Sequence, residues 1–401
     1  MSLPDFRDRK MKTVTIIYRF MPQYRVDFFN GLRTALRDRG IYLDVIYGKN
    51  SSVPRKDEVD LLWATAVKNR TFQVGLDLCW QPLPGRIRKS DLLILMQENK
   101  MLNNYGILLQ SRLSGQRLAF WDHGRNLQAE PGSLGNRFKR MYSSRVHWWF
   151  AYTQRAKQIV QDMGFPEDRI TVVENAIDTV RLLGQARAIT PQQLQELKLR
   201  LGIVGGPVGI YCGGIYSEKR LRFLFSACEA IRQRMPGFEM IFLGAGPDAP
   251  LVSHFCCQHA WAHYAGPVFG DARIPYFKLA DVFLMPGLVG LAILDAFALE
   301  TPIVTTNYPH HGPEIEYLRH GENGVCTENT LSHFVEGVLM VVSSEEVKAR
   351  LTKGCRASAL YHTLGRMVNN FAGGVSKALD WQPAHNVYNC LPEVICHDKS
   401  R

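Results

Sequence analysis

The sequence predicts an α/β fold with two doubly wound parallel-sheet domains. Apolar runs typical of buried strands alternate with segments whose apolar residues recur at helical spacing. The first half opens on such a strand at residues 13–18, followed by a loop, a helix that Gly40 ends, and a second strand at residues 41–47. The same order begins again at residues 208–212. Since 401 residues are enough for two domains that each have a core, the repeat indicates two domains.

The order of the elements also predicts the domain boundary. A polar helix at residues 192–201 separates the last strand of the first half from the first strand of the second. We therefore assign residues 1–185 to the first domain, residues 186–379 to the second and residues 380–401 to a C-terminal tail.

One stretch of the second half, residues 279–316, has the pattern of a βαβ unit. An apolar run is followed by a loop with Gly287 and Gly290, then by a helix and a strand rich in β-branched residues. Such a loop opens at the carboxyl edge of a parallel sheet, where ligands bind, and its glycines let backbone N–H groups approach an anion such as phosphate. Asp295, about one turn into the helix, can accept hydrogen bonds from hydroxyl groups. The same pattern is also typical of a βαβ unit that binds nothing.

Composition limits the class of protein. The chain lacks an apolar run of about 18 residues, so the sequence predicts no transmembrane helix, and its opening residues lack the pattern of a secretory signal. Nine cysteines without a Cys-x-x-Cys pair are typical of reduced thiols rather than of a disulfide framework or a zinc site. We therefore expect a cytoplasmic protein.

The net charge of +11 indicates attraction to anions without choosing between them. Anionic lipid headgroups, phosphate-bearing substrates and a basic surface with no dedicated partner all stay open. Residues 132–149 combine basic side chains with a helical apolar face that includes Phe138 and Val146. This pattern suits a helix packed on the first domain, or an interfacial helix in peripheral contact with an anionic membrane. Nucleic acid is not an expected partner, since no nucleic-acid-binding motif accompanies the charge.

Residues 287–295 resemble the nucleotide-sugar signature of GT-B glycosyltransferases of the retaining family 4 type, the group 1 glycosyl transferases. That family has two carboxylates separated by seven residues, with a Gly-Leu pair between them. Asp295 matches the second carboxylate, which the resemblance implies holds the ribose hydroxyls of the donor. Gly290 and Leu291 match the pair whose amides meet the diphosphate. Gly287 stands where the first carboxylate, a donor-sugar contact, would be. The resemblance implies a GT-B fold, with two Rossmann-like domains facing across a cleft.

The loop after the first strand of the second domain resembles the family's diphosphate loop. It begins with Gly213 and Gly214 and ends with Lys219 and Arg220. In the family, an arginine near the start and a lysine near the end grip the diphosphate. Lys219 matches the lysine, whereas Gly214 stands at the position of the arginine. Arg220 is the candidate replacement for that missing positive charge.

Three further predictions come from loops at strand ends. Gly244, in a Gly-x-Gly loop, together with Gly266 and Val268, matches the region where the family places its nucleobase. His123 follows a strand and precedes a glycine, and the resemblance places it beside the donor sugar. An Asn-x-Ile-Asp turn at residues 175–178 resembles the turn at which the family's first domain hands over to the linker.

The function implied by this resemblance is transfer of a sugar from a nucleotide-diphosphate sugar to an acceptor. No Asp-x-Asp motif occurs, so we expect a metal-free reaction, with retention of configuration and without a cofactor. The co-substrate is expected to be UDP- or GDP-linked. The expected acceptor is a glycan or a polyprenyl-linked sugar, in cell-surface polysaccharide or glycolipid synthesis at the inner face of the membrane.

Two alternatives stay open. The missing arginine and first carboxylate also suit a GT-B relative that binds sugar nucleotides without transferring the sugar. An inverting transferase or an epimerase on the same fold would need a base in the first domain, and Asp122 or His123 could supply it.

Overall fold

The computed structural model describes residues 11–49, 58–73, 77–124 and 142–382. The predicted basic helix around Phe138 lies largely outside the described residues, as does most of the predicted tail. Both therefore stay predictions.

The first domain is built on a seven-stranded parallel sheet. Its strands and the adjacent hairpin are β1 (Lys12–Tyr18), β2 (Ile41–Lys49), β3 (Thr65–Lys68), the antiparallel pair β4 (Arg70–Gln73) and β5 (Asp77–Trp80), β6 (Leu92–Met96), β7 (Arg117–Asp122), β8 (Trp148–Ala151) and β9 (Ile170–Val172). The order in the sheet is β3-β2-β1-β6-β7-β8-β9. The direction of strand addition therefore reverses between β1 and β6, and the crevice beyond their carboxyl ends is the expected ligand position.

The second domain repeats this arrangement with six parallel strands. They are β10 (Val208–Cys212), β11 (Glu239–Leu243), β12 (Ala262–Gly266), β13 (Val282–Leu284), β14 (Ile303–Thr306) and β15 (Gly324–Thr327). Their order is β12-β11-β10-β13-β14-β15, so the reversal lies between β10 and β13. The loops after these two strands are the ones that the sequence predicted to bind the donor.

Helices cover the faces of both sheets. They are Val26–Arg37, Leu102–Ser114, Gln154–Asp162, Thr179–Arg187, Pro191–Leu201, Leu221–Arg234, Ala249–Gln258, Ile274–Leu279, Ala292–Ala298, Leu331–Ser343, Glu345–Tyr361 and Leu364–Asp380. The Val26–Arg37 helix buries Phe28, Phe29, Leu32 and Leu36, an amphipathic spacing that fixes which face meets the sheet. The Pro191–Leu201 helix begins with a capping box formed by Thr190 and Gln193.

The last helix, Leu364–Asp380, returns to the first domain. Phe371 stacks on Phe150 of β8 with ring centroids 4.3 Å apart, and it meets Phe28 edge-on at 5.4 Å. The sequence assigned this helix to the second domain by its position in the chain. In the structure this helix, which follows the second domain in the chain, packs on the first domain and so connects the two. The boundary at residue 185 stays a prediction.

The predicted α/β class with two doubly wound domains is confirmed. Each of the seven cysteines in the described ranges is a free thiol. Within those same ranges, no helix is both long enough and apolar enough to cross a membrane.

Candidate functional site

A cavity of about 590 Å³ lies between the two domains, at the carboxyl edges of both sheets. Its walls include Tyr24, Arg25, Asp122, His123 and Asn175 from the first domain and Arg273, Gly290, Leu291, Asp295 and Glu314 from the second. Four of the predicted site residues therefore meet in one cavity: His123, Gly290, Leu291 and Asp295. They converge because each follows a parallel strand, and parallel strands end at a common edge.

Gly290 and Leu291 immediately precede the Ala292–Ala298 helix that follows β13. A Cβ atom at Gly290 would meet no heavy atom within 4 Å, so the backbone here borders open space. A ligand can therefore approach the chain closely at this point.

Asp295 faces the cavity in an ion pair. Arg273 Nη2 lies 2.6 Å from Asp295 Oδ1, and the two side chains are only 20% and 15% exposed. Burial raises the pKa of Asp295, and the neighbouring guanidinium opposes that rise. The carboxylate that the resemblance assigns to the ribose thus already has a cationic partner. Sequence reasoning missed Arg273, although its position in the loop after β12 places it at the same sheet edge.

Lys219 is buried beneath the loop that follows β13. Its ammonium donates a hydrogen bond to the Leu288 carbonyl oxygen at 2.6 Å. Burial lowers its pKa to about 8, and Cys212 and Glu314 partly oppose this shift. The Cys212 thiol, at the end of β10, is within electrostatic range of Arg273, Asp295 and Lys219. Lys219 and Asp295 therefore lie near the same strand end, but Lys219, like Arg220, is not among the residues that line the described cavity.

The side chain of Arg220 points in a different direction from that of Lys219. It has φ of +57° and ψ of +45°, the left-handed conformation, at the start of the Leu221–Arg234 helix. Its guanidinium donates to the Pro286 carbonyl oxygen at 3.3 Å and to Asn329, and it lies 4.2 Å from the Phe223 ring centroid. Arg220 is not among the residues that line the described cavity. These contacts do not support the prediction that it replaces the arginine missing at position 214.

The glycines at the two departures from the family pattern are tightly packed. A Cβ at Gly287 would lie 2.4 Å from the Glu218 carbonyl oxygen and 2.5 Å from the Lys219 carbonyl carbon. A Cβ at Gly214 would lie 2.6 Å from the Tyr216 ring. A side chain at position 287 would require movement of the backbone of the Tyr216–Lys219 turn, whereas one at position 214 would require movement of the Tyr216 side chain. The local packing of this chain thus matches the loss of the carboxylate and of the arginine.

The predicted base-binding loops are close-packed as well. A Cβ at Gly244 would lie 1.9 Å from the Gly213 carbonyl oxygen, so these two strand-end loops meet backbone to backbone. Gly266 has φ of +74°, in the region that favours glycine. Gly213, Gly244, Gly266 and Val268 are not among the residues lining the described cleft cavity, and their contact with a nucleobase stays a prediction.

His123 forms part of the first-domain wall. Its ring packs edge-on against the Tyr152 ring at 4.3 Å between centroids, and its side chain is 30% exposed. Its backbone N–H donates to Asp122 Oδ1 at 2.6 Å, while its Nε2 lies 3.8 Å from the same oxygen. The Asp122 carboxylate therefore fixes the backbone of the loop at His123.

A chain of hydrogen bonds crosses the cleft along the cavity wall. The guanidinium of Arg25, which is 1% exposed, donates from Nη2 to Asn175 Oδ1 at 2.7 Å. Asn175 Nδ2 in turn donates to Glu314 Oε1 of the second domain at 2.6 Å. Glu316 accepts hydrogen bonds from the backbone N–H groups of Gln154 and Arg155 at 2.9 and 2.8 Å, and so caps the N-terminus of a first-domain helix.

Sequence reasoning assigned no role to Arg25, Asn175 or Glu314 in this chain of hydrogen bonds. The signal was present in the turn that contains Glu314 and Glu316, two carboxylates beyond a strand end. Their partners are 139 and about 162 positions away, however, so only the assembled fold reveals the link.

In the part of the chain that the structure describes, no group of three or more His, Cys, Asp and Glu side chains is placed to hold a metal ion.

The two parallel-sheet domains and the cleft between their carboxyl edges define the GT-B class of protein. The solved structure of Anabaena Alr3699/HepE in complex with UDP has the same fold, with a TM-score of 0.67 at 15% identity over 91% of this chain and 100% of that one. Within this class, residues 206–344 match the family described as Glycosyl transferases group 1. The predicted resemblance to GT-B glycosyltransferases is thereby confirmed.

Two curated relatives are similar over part of the chain. One is an alpha-monoglucosyldiacylglycerol synthase of Acholeplasma laidlawii, 26% identical over 42% of this chain and 43% of the relative. The other is a GDP-mannose-dependent alpha-(1-6)-phosphatidylinositol monomannoside mannosyltransferase of Mycobacterium tuberculosis, 25% identical over 34% of this chain and 38% of the relative. The matched part is thus less than half of each relative.

Proposed function

We propose that this protein is a glycosyltransferase that moves a sugar from a nucleotide-diphosphate sugar to an acceptor in the interdomain cleft. The observation that carries the proposal is the cavity in which Gly290, Leu291 and Asp295 of the second domain face His123 of the first. The match of residues 206–344 to a glycosyl transferase family supports it.

The proposed chemistry places positive charge on the leaving group. Departure of the nucleoside diphosphate builds negative charge on its terminal phosphate, and a metal-free enzyme must stabilise that charge with its own cations and amides. Lys219 and the loop at Gly290 are the candidates. We propose that the acceptor hydroxyl attacks the same face of the sugar from which the diphosphate leaves, so that configuration is retained. The bond from the sugar carbon to the phosphate oxygen breaks, and the departing phosphate takes the hydroxyl proton. His123 would then lie beside the donor sugar.

The proposed donor is UDP- or GDP-linked, and the proposed acceptor is a lipid-linked sugar or a growing glycan. The acceptor proposal is supported by the two relatives, whose names specify a diacylglycerol product and a phosphatidylinositol mannoside. The net charge of +11 suits peripheral contact with an anionic membrane surface at its cytoplasmic face.

Binding of nucleotide sugars to the purified protein is the first test. We expect one of UDP-, GDP-, dTDP- or ADP-sugars to raise the melting temperature in a thermal-shift screen, and the same donor to be consumed when acceptor is supplied. Asp295→Asn should weaken that shift. A wild-type protein that responds to none of these nucleotides would overturn the proposal.

A second candidate function rests on Gly287. Because the family's first carboxylate has no room at this position, the protein could bind a sugar nucleotide without transferring the sugar. A donor-hydrolysis assay with sensitive detection of free sugar separates the two functions. A protein that only binds the donor would melt at a higher temperature when donor is added, but it would release no free sugar. The anomeric configuration of any product would separate a retaining from an inverting enzyme.

A further inference from the structure

The proposed diphosphate site has one cation fewer than the resemblance implies. Gly214 stands where the family has an arginine, and a Cβ there would lie 2.6 Å from the Tyr216 ring. Arg220 directs its guanidinium to Pro286 and Asn329 instead of the cleft. A nucleoside diphosphate carries at least two negative charges, and Lys219 alone is a sparse counterpart.

Arg273 is a second cation on the cleft wall. It ends the Gly270–Arg273 turn after β12, and it lines the cavity together with Gly290, Leu291 and Asp295. Lys219 and Arg273 both lie within electrostatic range of the Cys212 thiol at the end of β10, but of the two cations Arg273 is the one that lines the cavity.

The guanidinium of Arg273 has donors to spare. Nη2 donates to Asp295 Oδ1 at 2.6 Å. Nε is buried and has no hydrogen-bond partner among the described residues. A guanidinium has five N–H donors in a planar fork, and that fork matches the geometry of phosphate oxygens. A buried donor without a protein acceptor, beside an open cavity, is therefore placed to bind a ligand oxygen.

We propose that Arg273 is the second cation of the donor site, holding Asp295 toward the ribose with one N–H and binding a phosphate oxygen of the nucleoside diphosphate with others. This inference rests on the proposed function and names a residue for the charge that position 214 lacks. In this arrangement the buried Asp295 carboxyl has a cationic partner before the nucleotide arrives.

The test separates a phosphate contact from mere positioning of Asp295. Calorimetry on the full chain would measure UDP and GDP, and competition would measure the matching nucleoside, uridine or guanosine. Arg273→Met should lower the affinity for the preferred nucleoside diphosphate by roughly 10- to 100-fold, the loss expected for a charge-assisted hydrogen bond. It should change the affinity for the nucleoside several-fold at most. Arg273→Lys keeps the charge and should lose less.

The matched control is Arg181→Met. Arg181 pairs with Asp271 at 2.8 Å, next to the same turn, but it does not line the cleft cavity. This variant should bind the diphosphate like the wild type. Asp295→Asn should lower the affinities for the nucleoside diphosphate and for the nucleoside by the same factor.

Two outcomes would overturn the inference. Equal losses of diphosphate and nucleoside affinity in Arg273→Met would show that Arg273 acts only through Asp295. Unchanged affinity for the diphosphate in Arg273→Met would show that Arg273 has no role in binding it. If the methionine variant does not fold, Arg273→Lys allows the same comparison of diphosphate and nucleoside affinities. A wild-type protein that binds none of UDP, GDP, dTDP and ADP would instead overturn the proposed function itself.

Discussion

At the scale of single residues, Lys219 is the side chain whose environment most directly suggests chemistry. Lys219 is 5% exposed, and its ammonium donates a hydrogen bond to one carbonyl oxygen. The charged form therefore loses most of its hydration, which costs free energy. An anionic leaving group would relieve that cost, because charge on the departing phosphate offsets the lost hydration. The ammonium should therefore bind the transition state, in which the phosphate charge is growing, more strongly than the ground state.

Replacement of this side chain should thus affect turnover. We expect Lys219→Ala to lower kcat by roughly 100-fold or more, on the scale of removing one oxyanion-stabilising donor, and also to weaken donor binding. Steady-state kinetics at saturating donor would measure it. Arg220→Ala is the adjacent comparison. If Arg220→Ala lost kcat and Lys219→Ala kept it, the assignment of the loop to Lys219 would have to be withdrawn.

The lowered pKa of Lys219 predicts a pH dependence. Because burial lowers this pKa to about 8, the free enzyme loses the ammonium as the pH rises through 8, and kcat/KM should fall there. Bound diphosphate favours the charged form, so the fall in kcat should occur at higher pH. Lys219→Arg should remove the alkaline fall, since arginine stays protonated. Parallel pH profiles of wild type and Lys219→Arg would check this, and identical alkaline limbs would count against it.

The effect on stability has the opposite sign. A lysine with a lower pKa in the folded state binds more protons when unfolded, between about pH 8 and its ordinary value. The free energy of unfolding therefore gains from this group as the pH rises through that window. Activity and stability should thus change in opposite directions above pH 8, which distinguishes loss of a proton from general denaturation.

At the scale of elements, the loops after β10 and β13 fit each other through glycine. Gly287 approaches the Glu218 carbonyl oxygen so closely that the turn carrying Lys219 is fixed by the absence of a side chain. Gly287→Ala should destabilise the protein by about 1–3 kcal/mol, as overpacking does, and should also lower kcat because the turn must move. Chemical denaturation and kinetics would measure both effects.

Gly373→Ala is the matched control for that change. A Cβ at Gly373 would meet nothing within 4 Å, and the residue lies inside the Leu364–Asp380 helix, so alanine should be neutral or slightly stabilising. If both alanine variants had the same stability as the wild type, the close packing at Gly287 would not constrain the loop.

The alternation of strands and helices in two domains could be predicted from the sequence because strand and helix periodicities are local. The strand β3, the β4–β5 hairpin and the Leu102–Ser114 helix were not predicted. The convergence of His123, Gly290 and Asp295 could also be predicted, because residues that follow parallel strands lie at the common carboxyl edge of the sheet. Arg220 was harder to place because its left-handed backbone conformation turns its side chain away from that of Lys219. Arg273 and Glu314 depend on tertiary contacts, which no spacing along the chain encodes.

At the scale of the whole molecule, buried polar groups link the two domains along the wall of the cleft. Arg25 has no carboxylate within ion-pair distance among the described residues, and its charge is shared with Asn175 and the surrounding rings of Tyr24, Trp121 and Tyr152. Asn175 passes the interaction on to Glu314. A single amide side chain thus bridges a buried cation on one domain and a buried carboxylate on the other.

Removal of that bridge should be costly. Asn175→Ala leaves an Arg25 N–H and a Glu314 oxygen buried without their partner, and each such loss typically costs about 1–3 kcal/mol, more for charged groups. We expect a fall of at least about 2 kcal/mol in the free energy of unfolding, measured by urea denaturation with tryptophan fluorescence. Asn370→Ala is the control, because its amide makes a long 3.4 Å bond to the Val173 carbonyl oxygen and should cost far less. Equal stability of the two variants would mean that water or a shifted Glu314 takes over from Asn175, and that the cleft is not held by this chain of hydrogen bonds.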